Sequence, residues 1–298
     1  MDSSILAIVG PTASGKTTWA LELARRQDAE VISVDSRQVY RKLSVGTAKP
    51  SGSWSNAIYQ VEGVPYHLVD ILDPAERFSA AAFVDQAGEK IREIRERGRT
   101  PVLAGGTGLY FKALTEGLAA LPPSDRILRA ELKERADRHG RATLHEDLRA
   151  VDPVAAGRIP PNNIARVVRA LEVFRLTGRP ISLWHAEHQA SRAPAYELRY
   201  VGVDCDREEL GRRIAERGRR MLAGGMIEET QRLLADGYSE NCAALSGLGY
   251  PRVVAFLKNQ MRRDELLAAI VQDTCQYAKR QRTWFRNQMK VQWKKSLP

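Results

Sequence analysis

Eight consecutive residues, Gly10, Pro11, Thr12, Ala13, Ser14, Gly15, Lys16 and Thr17, have the spacing G-x-x-x-x-G-K-[ST]. Glycines at those places let backbone amides turn inward around phosphate oxygens. Lys16 adds a compact positive charge, and the Thr17 hydroxyl is a hard oxygen ligand suited to Mg2+. An apolar run, Ile5 to Val9, precedes the loop, and the pattern predicts a helix from Thr17 to about Arg26 behind it. The positive end of that helix dipole then faces the same phosphates. This placement between strand and helix separates the match from a chance run in a glycine-rich chain. The eight residues are the candidate diphosphate-binding loop, with Thr17 the candidate metal ligand.

Two further polar segments follow apolar runs directly. Asp35-Ser36-Arg37-Gln38 comes after Val31–Val34, and Gly105-Gly106-Thr107-Gly108 after Val102–Ala104. In an open parallel sheet the loops at the carboxyl ends of the strands face one crevice. Lys16, Asp35 and Thr107 are therefore expected around a single pocket. For Asp35 the residues leave three roles open: general base, magnesium ligand, or cap of a following helix. The glycine run is a site loop or a tight turn.

Near the C-terminus Lys279, Arg280, Arg282, Arg286, Lys290, Lys294 and Lys295 are uninterrupted by acid, with Trp284, Phe285 and Trp293 among them. Cations grip phosphates and aromatic rings stack on unpaired bases, so the segment suits RNA. The plainer reading is a terminal helix with core aromatics and solvated charges. Arg212, Arg213, Arg217, Arg219 and Arg220 form a second basic cluster, suited to a leaving diphosphate. His185 and His188 lack a third ligand at metal spacing, and no zinc site is expected there.

These residues need a scaffold. The first third of the chain alternates strand and helix, which predicts a parallel sheet covered on both faces. Ser79 reads as the N-cap of a helix to Arg97 closed by Gly98. Helices are predicted at Arg126–His139 and Asn163–Arg175. The second has Ile164, Val167, Val168, Leu171 and Phe174 on one face, Arg166 and Arg169 on another, and Gly178 as its stop. A strand returns at Tyr200–Val203. Residues 113–197 are expected to form a helical insertion, and 1–112 with 198–298 an α/β core that finishes in helices. The fold class expected is α/β, a P-loop NTPase-like parallel sheet core with a helical insertion domain and a helical C-terminus.

The 298 residues are 43% hydrophobic and 28% charged, an ordinary globular balance, with formal net charge +10. A basic surface draws polyanions through counterion release. The opening residues lack the basic-then-apolar form of a signal peptide, and no apolar run approaches a membrane span. Cys205, Cys242 and Cys275 are odd in number and far apart, so a reducing cytoplasm is expected.

The sequence resembles the tRNA dimethylallyltransferase, or tRNA isopentenyltransferase, family. The likeness rests on residues 10–17, Asp-Ser-Arg-Gln-Val-Tyr at 35–40, Gly-Thr-Ala-Lys-Pro at 46–50 and His-Leu-Val-Asp at 67–70. It continues through Gly-Gly-Thr-Gly-Leu-Tyr at 105–110, Arg-Ala-Leu-Glu-Val at 169–173 and Thr177-Gly178. Leu248-Gly249-Tyr250 and Lys-Arg-Gln-Arg-Thr-Trp-Phe-Arg at 279–286 complete it. The series runs in order along almost the whole chain. Ser44 and Asn163 stand where Asp is usual, and Arg282 replaces a typical aliphatic residue.

The resemblance implies transfer of a dimethylallyl group from dimethylallyl diphosphate to the exocyclic amine of the adenine 3′ of the anticodon. It implies that Asp35 takes the amine proton and that Thr107 positions the acceptor. Lys16, Thr17 with Mg2+, and Arg217 would stabilise the leaving pyrophosphate. It implies tRNA contacts from Asp35, Ser36, Arg37, Gln38, Thr107, Arg166, Arg169, Gly249, Tyr250, Lys279, Arg280, Gln281, Arg282, Trp284 and Arg286. The adenine must flip out of its stack, and the helical insertion would grip the anticodon stem-loop. A cytoplasmic monomer without membrane contact is expected. Competing readings are a P-loop small-molecule kinase, an isopentenyltransferase acting on free adenine nucleotides, and a non-catalytic RNA-binding module.

Overall fold

The computed structural model describes residues 4–191 and 196–295. The opening residues read for a leader, and the stretch 192–195 at the end of the expected insertion, lie outside the described residues. Eight strands run in chain order as β1 (Ile5–Val9), β2 (Ala29–Val34), β3 (Ser53–Ser55), β4 (Ile58–Val61), β5 (Val64–His67), β6 (Thr100–Gly105), β7 (Leu198–Val203) and β8 (Val291–Lys294). The helices are α1 (Lys16–Arg26), α2 (Ala80–Glu96), α3 (Gly108–Glu116), α4 (Arg126–His139), α5 (Arg141–Val151), α6 (Pro153–Arg158), α7 (Ile164–Thr177), α8 (Ile181–Ser191), α9 (Arg207–Ala223), α10 (Met226–Ala235), α11 (Tyr250–Leu257) and α12 (Arg263–Gln288). They divide into two compact units, Met1–Thr115 with Ala195–Pro298, and Glu116–Pro194.

The first unit holds one sheet in the order β3-β4-β5-β2-β6-β1-β7-β8. From β5 to β8 every neighbouring pair is parallel. All six residues of β2 are buried, the mark of a strand covered on both faces. Alternate strand residues serve opposite sides: Ile32, Val34 and Leu103 pack with Phe83 and Ile91 of α2, while Val31, Val102 and Ala104 pack with Ala20 and Leu21 of α1. Ser79 accepts a hydrogen bond from the Ala82 amide at 3.1 Å, which caps α2.

Two expectations are corrected. The sheet has an antiparallel edge, β3-β4-β5, that the sequence reading lacked. Its turns place Asn56 and Ala57 at φ 48° and 61°, and Glu62 and Gly63 at φ 49° and 80°. These are left-handed two-residue hairpin turns. Ala57 is an unusual occupant of such a turn, and β3 is exposed throughout, so neither turn chemistry nor alternation announced the hairpin. The chain also does not finish in helices. After α12 comes β8, parallel to β7, with Trp293 opposite Gly202. Val291 and Trp293 pack on the core while Gln292 and Lys294 point outward, a period of two too short to stand out.

The second unit is a helical bundle around Leu132, Leu144, Leu148, Val167, Val168 and Leu171. Glu172 is fully buried and takes Arg129 at 2.9 Å, Arg169 at 2.6 Å and the Asp125 amide at 2.7 Å. Arg169, expected at tRNA, is thus bound into its own unit, with a second bond to the Pro122 carbonyl. A buried carboxylate requires such partners, and the helical wheel could not show that Glu172 is inside. Arg166 is exposed.

Phe285 of α12 is fully buried against Phe111, with ring centroids 6.0 Å apart. Phe285→Ala is expected to destabilise the first unit by about 3–5 kcal/mol, read by denaturant unfolding.

Candidate active site

Strand register builds the site. Val9 and Val34 both lie opposite Gly105, and Val9 also lies opposite Gly202. The loops that begin at Gly10, Asp35, Gly106 and Asp204 therefore leave the sheet along one edge.

In the first loop Gly15 sits at φ 93° as the N-cap of α1, a left-handed conformation that glycine adopts freely. Ala13 is also left-handed, at φ 64°. The Lys16 Nζ donates to the Pro11 carbonyl at 3.3 Å. Burial, the largest influence, lowers the Lys16 ammonium to about 8. Asp35 opposes that fall and Arg217 adds to it. Arg217 of α9 is likewise buried, and its guanidinium is lowered by burial against the pull of Asp35. It stays cationic at any ordinary pH.

Asp35 Oδ1 accepts from the amides of Arg37 at 2.8 Å and Gln38 at 3.3 Å. The segment is a turn, not a helix, so the helix-cap reading is replaced by an Asx-type turn. Thr107 Oγ1 accepts from the Ser36 amide at 3.2 Å, and the Thr107 amide donates to the Val34 carbonyl at 3.2 Å. The second and third loops are thereby joined, and the Thr107 hydroxyl keeps its own hydrogen for a substrate. Tyr66 stands beside Thr17 and Asp35, and burial raises its phenol. Tyr277 of α12 is pushed up to about 12, first by burial and then by Asp35. Both phenols are neutral donors at physiological pH.

A cavity of about 410 Å³ contains Lys16, Asp35, Arg217, Tyr66 and Tyr277. A second, wider opening of about 980 Å³ carries Arg212, Arg213 and Arg220. The two share Lys16, Thr17, Ala48, Arg217 and Met221. Around Arg217, its neighbours are paired: Arg212 and Arg213 with Glu209, Arg219 and Arg220 with Glu216.

Several residues expected at tRNA do something else. Gln281 is buried; its Oε1 accepts from the Thr12 amide at 2.8 Å and its Nε2 donates to the Gly106 carbonyl at 2.9 Å. It fastens α12 to two site loops. Arg37 donates to the Ala243 carbonyl at 2.7 Å and to Ser246 Oγ at 2.8 Å. Gln38 is buried between Ser33 and the Ala48 carbonyl. Tyr250 is fully buried, its hydroxyl on Glu229 at 2.7 Å; its backbone neighbour Gly249 lines the cavity. Arg282 and Arg286 pair with Asp204 at 3.1 and 3.4 Å. The basic run looked uninterrupted because its acid lies some eighty residues upstream. Lys279, Arg280 and Trp284 do line an open groove along α12.

Sequence reading missed Glu229, whose carboxylate is buried on α10. Glu228-Glu229 near a helix start looks like a solvated first turn. Among the described residues no group of three His, Cys, Asp or Glu is placed to hold a metal, His185 and His188 included.

Comparison with known proteins gives one answer. The family model described as IPP transferase matches residues 38–288, and that of isopentenyl transferase matches 3–59. The chain is 45% identical over 289 residues to a tRNA dimethylallyltransferase of Geobacter metallireducens, covering 97% of this chain and 91% of the relative. Among solved structures it is similar to the full-length tRNA isopentenylpyrophosphate transferase of Bacillus halodurans, at 39% identity and TM-score 0.69, covering 99% and 90% of the two chains. It also shares the fold of a eukaryotic dimethylallyltransferase described as acting on tRNA, at 23% identity and TM-score 0.77, covering 98% of this chain and 74% of that one.

The lowered Lys16 ammonium is expected to make anion binding at this loop pH-dependent. Below about 8 the lysine is already charged, and above it a proton must be taken up with the anion. Affinity for inorganic pyrophosphate is expected to fall above pH 8 with a slope approaching tenfold per pH unit. Calorimetry across pH 7–10 reads this, and Lys16→Ala should bind weakly with the slope gone.

Proposed function

The chain belongs to the tRNA dimethylallyltransferase family of IPP transferases, and on that premise we propose how its crevice performs the reaction. The donor is dimethylallyl diphosphate, and the acceptor is the exocyclic amine of the adenine 3′ of the anticodon. The observation that carries this reading is the arrangement of Asp35 and Thr107 on joined loops beside the buried cations Lys16 and Arg217.

The diphosphate lies in the loop Gly10–Thr17, with Lys16 and Arg217 on its oxygens. As the bond between the allylic carbon and its oxygen breaks, negative charge grows on the diphosphate, and preorganised cations in a water-poor pocket stabilise it. The adenine nitrogen forms the new bond to that carbon and gives up one proton. Asp35 receives it on the carboxylate oxygen not committed to the Arg37 and Gln38 amides. Thr107 donates to the base and holds the amine in line. A purine stacked in the anticodon loop cannot reach this depth, so it enters flipped.

The hard hydroxyl oxygen of Thr17, without a carboxylate cage around it, fits Mg2+, an ion that keeps waters and takes phosphate oxygens. When bound by Thr17 it would neutralise further charge on the diphosphate. For tRNA, Lys279, Arg280 and Trp284 along α12 form the surface of the first unit that we assign to the anticodon stem-loop; Arg166 is the tRNA contact we assign to the helical unit by itself. Arg282 and Arg286 act through Asp204 to hold α12 in place. No helix of the described residues is long and apolar enough to cross a membrane. A cytoplasmic monomer is the state we assign, where tRNA is found and free thiols stay reduced.

Labelled dimethylallyl diphosphate offered with tRNA, or with AMP, tests the substrate class: transfer to tRNA is expected, and transfer to AMP alone would favour action on free nucleotides. Asp35→Asn keeps the turn but cannot accept the proton. Its single-turnover rate is expected to drop by about two to four orders of magnitude, with tRNA affinity little changed. A near-normal rate would leave Asp35 as a turn residue only. Replacing Lys279 and Arg280 with Ala is expected to weaken tRNA binding and lower its salt slope by up to about one unit for each lost phosphate contact. Filter binding at several salt concentrations reads this, and an unchanged slope would assign both charges to solvent.

A further inference from the structure

Glu229 is 5% exposed and makes no ion pair among the described residues. Its carboxylate is satisfied by neutral donors instead. Oε2 accepts from the amides of Ser44 at 2.6 Å and Val45 at 2.8 Å. Oε1 accepts from the Gly46 amide at 3.1 Å and the Tyr250 hydroxyl at 2.7 Å. Three successive amides aimed at one carboxylate fix the turn that follows. That turn is closed by Ala48 N to Val45 O at 3.0 Å and Lys49 N to Ser44 O at 3.1 Å. It ends with the Ala48 carbonyl accepting from Gln38 Nε2 at 3.2 Å. The Gln38 amide in turn donates to Asp35 Oδ1 at 3.3 Å.

We propose that Glu229 is a positioning residue for prenyl transfer, which sets the 44–48 turn and, through Gln38, the Asp35 carboxylate. A charge buried without a cation is costly, and hydrogen bonds to a charged acceptor are about twice as strong as neutral ones. A neutral residue packed at the same place would suit stability alone. What the carboxylate adds is a turn held in one geometry, at the cavity wall facing Lys16 and Arg217. The turn lines the cavity beside Lys16 and Thr17, but no hydrogen bond among the described residues ties it to the Gly10–Thr17 loop, whereas Gln38 ties it to Asp35, so the larger effect is expected on the chemical step.

This inference rests on Asp35 as the proton acceptor. Glu229→Gln keeps the size but sets an NH2 group against amide donors. Its single-turnover rate at saturating donor and tRNA is expected to fall by about 10²-fold, the scale of an ångström misplacement, while the two affinities move much less. Gln38→Leu, the next link, is expected to show the same split. The double variant should lose far less than the product of the two losses. A folded Glu229→Gln with a lower thermal midpoint but a normal single-turnover rate would overturn the proposal, as would multiplicative losses in the cycle. If Glu229→Gln does not fold, Glu229→Asp in the same cycle decides: its charge is kept but one methylene short, and a normal rate overturns the proposal. A normal rate for Asp35→Asn sinks the general-base reading itself, whereas a slow Asp35→Asn beside a normal Glu229→Gln sinks only this inference.

Discussion

Two buried cations, Lys16 and Arg217, share the cavity with the carboxylate of Asp35. Lys16 and Arg217 are both lowered by burial, and Asp35 only partly offsets the cost of removing them from water. Desolvated charge of one sign is costly until an anion arrives. Water satisfies such a pair of desolvated cations poorly, and the diphosphate proposed above would satisfy it better. Other parts of the first unit keep that arrangement from relaxing.

Three devices do so, each from a different part of the chain. Strand register sets four loops along one edge of the sheet, so their spacing is that of hydrogen-bonded strands. Gln281 ties the Thr12 amide to the Gly106 carbonyl with the two ends of one amide, and so fixes the first loop against the third. The Ser36 amide on Thr107 Oγ1 fixes the second against the third. Gln281 need not touch a substrate, whereas Thr107 joins two loops with the side chain proposed to meet the base. Replacing Gln281 by a residue of similar size would still leave a packed core, but loops free to shift by fractions of an ångström, on which proximity effects depend.

The loops that meet at the strand ends were legible in the sequence because the motif residues are local. A phosphate loop, a carboxylate after a strand and a glycine run after another strand each occupy a few consecutive positions, and the parallel-sheet rule joins them. What was not legible depends on contacts across long separations. Arg282 and Arg286 read as free cations since Asp204 stands far upstream. Gln281 read as a tRNA contact, since its partners Thr12 and Gly106 lie 269 and 175 residues away. The burial of Glu172 and Glu229 went unread because helical periodicity marks the apolar face and says nothing of a carboxylate turned into it. The β3-β4-β5 edge escaped because β3 is wholly exposed and its turn carries alanine where glycine is the usual signal.

The split first unit has a consequence for synthesis. Strand β1 lies between β6 and β7, and α12 and β8 are needed to brace the phosphate loop and to cover β7. Chains leave the ribosome from the N-terminus at about 5–20 residues per second, and domains fold as units. The nascent chain thus carries a nearly complete phosphate loop for most of its translation while Gln281 and β8 are still unmade. Meanwhile the second unit, Glu116–Pro194, is contiguous and has all its own core residues as soon as it emerges. The chain is then expected to acquire a folded bundle first, and an anion site only near the end of translation. Until β7 is made β1 presents an unpaired parallel edge, and after it β7 does so until β8 arrives, the kind of surface that chaperones protect.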